Sequence, residues 1–118
     1  MTITLQGQVR GGKNNMIVTR SGHRFPKKSW AVWRDAAVAE VRKQLPAGWA
    51  PIDFPVRVEL AYVAGDRRRR DFPAICDAVW HVLEKAGVVA DDTLLWPSAS
   101  TRDYSKESPG ITVTIINP

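Results

Sequence analysis

The chain has almost no cysteine: Cys76 is the one thiol among 118 residues. An internal disulfide is thereby excluded, and the apolar neighbours of Cys76 mark it as a small buried side chain rather than a nucleophile or a ligand. Long apolar runs are also missing, and no segment approaches the roughly 20 apolar residues that a membrane-spanning helix needs. The opening Met1-Thr2-Ile3-Thr4-Leu5 has neither a basic leader nor an apolar core, so nothing there suggests secretion. A reducing cytoplasm is the expected setting, with no membrane partner. No internal repeat is visible, and the length suits one core with little room for a second, so residues 1–118 are expected to form a single domain.

Acidic residues are in deficit. Seventeen Lys and Arg against 12 Asp and Glu leave a net charge of +5, which favours a polyanionic partner without specifying fold or reaction.

What is present is patterned. Thr2 to Val9 alternates roughly, through Ile3, Leu5 and Val9, and reads as a half-buried strand. Arg10-Gly11-Gly12-Lys13-Asn14-Asn15 breaks it, and Met16 to Thr19 reads as a second strand. That loop, with Lys13, Asn14 and Asn15, reads either as a basic contact to a nucleic-acid backbone or as an ordinary hairpin connection. From Pro26 to Leu45, Trp30, Trp33, Ala37, Val38 and Val41 recur at steps of three and four, predicting an amphipathic helix in which the tryptophans act as core or interface anchors. Val56, Val58, Leu60 and Tyr62 alternate with Arg57, Glu59 and Ala61, the clearest strand in the chain. Asp71 to Gly87 predicts a second helix: Ile75, Val79, Val82, Leu83 and Ala86 form its buried stripe, and Asp77, His81, Glu84 and Lys85 share the other side. Leu94 to Pro109 is irregular, with a strand expected near Leu94 to Trp96 and a mobile loop through Lys106 to Ser108, and Ile111 to Ile116 reads as the last strand. The order of elements predicts a small α/β domain, a mixed β-sheet packed against two α-helices.

Two clusters stand apart from packing. Asp66-Arg67-Arg68-Arg69-Arg70-Asp71 follows the clearest strand, and Asp91-Asp92 follows the second helix. Guanidinium groups bind phosphates bidentately and keep their charge, so Arg67, Arg68, Arg69 and Arg70 suit a DNA backbone, with Lys27 and Lys28 as further phosphate contacts. Carboxylates suit a hard divalent cation, and Asp71, Asp91 and Asp92 are candidate ligands. Asp71 and the Asp91-Asp92 pair lie at opposite ends of a helix, so they converge only if the chain after Val88 turns back beside the strand leading to Asp71.

Taken together these segments resemble the RusA family of Holliday-junction resolvases. The resemblance covers nearly the whole chain: the N-terminal strand, the paired Asn14-Asn15, Trp33-Arg34 in the first helix, the run Asp66 to Asp71, and Lys85-Ala86-Gly87 followed by Asp91-Asp92. It implies a homodimeric, Mg²⁺-dependent endonuclease, with Mn²⁺ as the other candidate ion, that acts on branched DNA, specifically four-way junctions, and is of bacterial or phage origin. It implies metal-site roles for Asp71 and Asp92, with Asp91 beside them. The family usually has a second aspartate two residues after the first, then asparagine, and a lysine six residues after the first. Here those places hold Pro73, Ala74 and Asp77. Positions 73 and 77 share one helix face, so Asp77 is expected to replace the missing ligand and form a catalytic cluster with Asp71 and Asp92. The competing expectation is a junction-binding protein that keeps the fold and has lost activity.

Overall fold

The computed structural model describes residues 1–11 and 16–116. Among these residues six strands and two α-helices run in the order β1 (Thr2–Gln6), β2 (Met16–Val18), β3 (Arg24–Pro26), α1 (Lys28–Gln44), β4 (Val56–Ala64), α2 (Phe72–Lys85), β5 (Leu95–Tyr104) and β6 (Gly110–Ile116). The expected mixed sheet with two helices is found. Its four strands lie in the order β1-β6-β4-β5; β4 and β5 are parallel and the other pairs antiparallel. β2 and β3 form a separate two-stranded ladder.

The alternation along β4 turns Val56, Val58, Leu60, Tyr62 and Ala64 inward, all nearly inaccessible. They share one core with Ala37, Val38 and Val41 of α1 and with the predicted stripe of the second helix, Ile75, Val79, Val82, Leu83 and Ala86, to which the structure adds Ala78. Burying such side chains contributes roughly 1.5–3 kcal/mol each, which offsets the cost of ordering these segments. Trp30 acts as an anchor, as expected: it is buried, stands 6.3 Å from Trp33 between ring centroids, and donates from Nε1 to the Arg10 carbonyl at 3.1 Å.

A parallel pair needs a crossover, and α2 is that crossover. Leu95 pairs with Val56 and Tyr104 with Ala64, so β5 starts where β4 starts. The arginine run leaves the carboxyl end of β4, and Asp91-Asp92 lies at the opposite end of the sheet. The chain after Val88 does turn back beside β4, as β5, but Asp91-Asp92 precede that return and stay at the end away from Asp71.

Two strands differ from the sequence expectation. β5 continues to Tyr104 instead of ending near Trp96, and β3 was not expected at all. Beyond Leu95 every residue of β5 is exposed, because β5 is an edge strand with neither face fully covered, and no apolar alternation is left to read. The opposite edge is closed by a side chain. Gln44 at the end of α1 accepts from the Thr4 amide at 2.8 Å and donates to the Thr4 carbonyl at 2.7 Å.

Candidate metal and nucleic-acid site

The C-terminal end of α2 is shaped by a glycine. Gly87 has φ +82°, and the bonds Gly87 N–H to Glu84 O (3.0 Å) and Val88 N–H to Leu83 O (2.9 Å) form a Schellman turn. Arg42 of α1 donates to the Lys85 carbonyl at 3.1 Å, placing a cation at the negative end of the helix. The chain is then held by Ile52, which donates to the Val88 carbonyl and accepts from the Ala90 amide. Asp91 and Asp92 follow directly. The Asp91 carboxylate caps a short 3₁₀ turn, accepting from the Thr93 amide at 2.9 Å and the Thr93 hydroxyl at 2.8 Å. Those two bonds, the amide first, hold its pKa below the ordinary carboxylate value. The Asp92 amide donates to Glu84 Oε1 at 3.3 Å.

Three carboxylates meet here. One ligand oxygen from each of Glu84, Asp91 and Asp92 lies within 4.8 Å of the others. The site is half-exposed, and a carboxylate has two oxygens, so bonds to Thr93 and to the Asp92 amide leave acceptor capacity for a cation. An all-oxygen, anionic donor set of this kind fits Mg²⁺ or Mn²⁺.

His81 faces this end of the helix. Its ring is 5.9 Å from Trp30, and its Nε2 is buried without a hydrogen-bond partner among the described residues. Burial, followed by the charges of Arg34 and Lys85, lowers its pKa below the usual 6.5, with Glu84 and Asp92 opposing. His81 is thus not the simply exposed histidine that its polar helix face suggests.

The N-terminal end of α2 differs. Asp71 occupies the N-cap position with extended backbone, but its exposed carboxylate makes no capping hydrogen bond. Pro73 sits in the first turn, where its missing N–H leaves no helix bond unmade. Arg67, Arg68 and Arg69 are exposed. Arg70 is not free: Nη1 and Nη2 donate to Oδ1 and Oδ2 of Asp66 at 2.6 and 3.0 Å. That pairing, reinforced by the Arg68 amide, holds the Asp66 carboxyl down to about 2. Arg67 lies over the Tyr104 ring, 4.9 Å from its centroid.

Asp71, Asp77 and Asp92 are not gathered within one copy. The helix rises about 1.5 Å per residue, so Asp71 and Glu84 stand roughly 20 Å apart along α2. Asp77 is exposed two turns before Glu84 and lies outside the three-carboxylate group. Lys27 and Lys28 are exposed at the start of α1, whereas Lys13, Asn14 and Asn15 lie outside the described residues. Glu84 was not singled out as a ligand. Its signal was present, since it shares a helix face with His81 and precedes Asp91 by two helical turns' worth of chain. Cys76 is half-buried, and burial pushes its thiol pKa up, in keeping with a packing role.

Fold and site together describe a small α/β protein with a basic loop at one end of its crossover helix and grouped carboxylates at the other. No protein-family model matches the chain. It is similar to the crossover junction endodeoxyribonuclease RusA of Aquifex aeolicus (strain VF5), with 28% identity over 102 residues, 86% of this chain and 79% of the relative. That likeness supports a RusA-like protein.

Proposed function

We propose that residues 1–118 form one RusA-like endonuclease domain that binds four-way DNA junctions and nicks opposing strands with the help of a divalent cation, Mg²⁺ or Mn²⁺, in DNA recombination and repair. The meeting of Glu84, Asp91 and Asp92 carries this reading, in a chain similar over most of its length to a crossover junction endodeoxyribonuclease. Glu84, Asp91 and Asp92 would hold a hard cation, which would supply Lewis acidity to phosphodiester cleavage. The protein's own groups do the rest. Arg67, Arg68 and Arg69 bind flanking phosphates, with Lys27 and Lys28 extending the contact and Lys13, Asn14 and Asn15 assigned to the same role from sequence. Arg70 contributes by fixing the loop through Asp66.

One copy separates Asp71 from the carboxylate group by the length of α2. A reaction that uses both ends therefore needs a second copy, turned so that Asp71 of one protomer approaches Asp91 and Asp92 of its partner. A twofold homodimer then presents two equivalent sites, matching the approximate twofold symmetry of a four-way junction. Such a protein works in a bacterial or phage-infected cytoplasm.

A second reading is favoured by one observation: Pro73 stands where RusA proteins usually have an aspartate, and Asp77 lies outside the acidic group. It makes the chain a junction-binding protein without activity. A synthetic four-way junction separates the two readings. Mg²⁺-dependent paired nicking by the wild type, lost in Asp71→Asn and Asp92→Asn, is the expected result; binding without nicking selects the second. Asp77→Asn shows whether Asp77 has taken over the missing ligand's role, and full activity in that variant removes it from the site.

A further inference from the structure

Between α2 and the uncovered edge of the sheet lies a cavity of about 240 Å³. Its floor is the half-buried ring of Phe72, backed by the buried Tyr62 at 6.0 Å between ring centroids and 43°, with Ile75 beside them. Gln8 makes the floor rigid, donating from Nε2 to the Tyr62 hydroxyl at 2.7 Å and accepting the Gly65 amide at 2.8 Å. The opposite wall is β5, through Ser100, Thr101 and Arg102. As an edge strand, β5 also offers backbone donors and acceptors that no neighbouring strand uses. Arg70 closes one side, pinned by Asp66, and among the described residues no acidic side chain lines the space. Arg67, stacked on Tyr104, stands at the same carboxyl ends of the parallel strands. Ligands of open α/β sheets collect at such ends.

A bare phosphate has no use for the aromatic floor, and an apolar ligand has none for the arginines. The volume falls below the roughly 300–1,000 Å³ of pockets for drug-sized ligands, so it suits one ring system. We propose that the cavity receives a single unstacked nucleobase, edge-on to β5, with its phosphate on Arg102 and the exposed arginines. This deepens, and rests on, the reading of the chain as a junction-binding protein. It also gives that reading a source of selectivity, because taking a base out of the stack costs least where pairing is already interrupted, as at a branch point.

The test uses the full chain without divalent cation, so that binding alone is read. Probes are a short oligothymidylate, its abasic counterpart of equal length, a four-way junction and a linear duplex of matched sequence. Stacking a base on an aromatic side chain is worth enough that wild type should bind the abasic strand at least about fivefold more weakly. Ser100→Leu, at an exposed position, fills the cavity without offering a ring face. It should weaken oligothymidylate binding to the abasic level, and in that variant base removal should cost nothing further. Equal wild-type affinity for the intact and abasic strands overturns the proposal, a comparison that does not depend on how well the variant folds. The duplex arm separates the two readings: no wild-type preference for junction over duplex defeats the junction reading while leaving the base pocket supported by the single-strand result. A junction preference together with indifference to the base defeats the pocket alone.

Discussion

At its N-terminal end α2 follows four arginines, three of them exposed, and an aspartate at the N-cap without a capping hydrogen bond; at its C-terminal end its own Glu84 meets Asp91, which caps a turn, and Asp92. The first end is a loop shaped by one ion pair and presents side chains to solvent. The second is fixed by a Schellman turn, by Ile52 and by Arg42, so its charged groups have defined neighbours. Loops suit a backbone polyanion, which needs charge more than precision, whereas a metal needs ligands in set positions. The contrast underlies the proposed division, with DNA binding at one end and cation binding at the other.

Changes at the ordered end should have the larger effects. Glu84→Gln should weaken Mn²⁺ binding, followed by titration calorimetry, by at least about tenfold, since even groups that only orient a ligand contribute roughly 10–100-fold. Junction binding without metal should stay unchanged, and a loss there would break the division of labour. Replacing Arg67, Arg68 and Arg69 together by alanine should do the reverse: metal affinity is kept, while the slope of log affinity against log salt on DNA falls by roughly 0.9 for each phosphate contact removed.

His81 sharpens the comparison through pH. Its folded pKa is lowered, mainly by burial, so the unfolded chain binds the proton more readily. Its stability contribution is complete above the ordinary 6.5 and is lost as pH falls through that value toward the lowered one. Denaturant unfolding of the wild type should therefore show stability rising with pH across this window, and His81→Phe should flatten the rise. The smallest effect belongs to Asp66. Its carboxylate stays charged until pH approaches about 2, so the Arg70 clamp is intact at any working pH. Asp66→Asn frees Arg70 and should steepen the salt dependence of DNA binding by no more than about 0.9.

Much of this was legible in the residues. Alternation along Val56 to Tyr62 and the three-and-four spacing around Trp30 and Ile75 mark elements whose one face is buried, and burial is what a period records. β5 left no such trace because both of its faces are largely open. The arginine run and Asp91-Asp92 were visible as chemistry, but their separation was not, since it follows from the parallel pairing of β4 with β5. Glu84 carried only a faint signal, its helix face shared with His81. On a polar helix face it looks like a solvated residue until the Gly87 turn brings Asp92 back to it.

The central claim is that the two ends of α2 serve one reaction through two copies of the chain. Nicking of a four-way junction in Mg²⁺ by an equimolar, subunit-exchanged mixture of Asp71→Asn and Asp92→Asn tests it directly. Each variant alone should be impaired roughly 10²–10³-fold, while mixed dimers hold one site with both aspartates intact, so the mixture should regain about a quarter of the wild-type sites. A mixture no more active than either variant alone, from a wild type that nicks, would contradict the account.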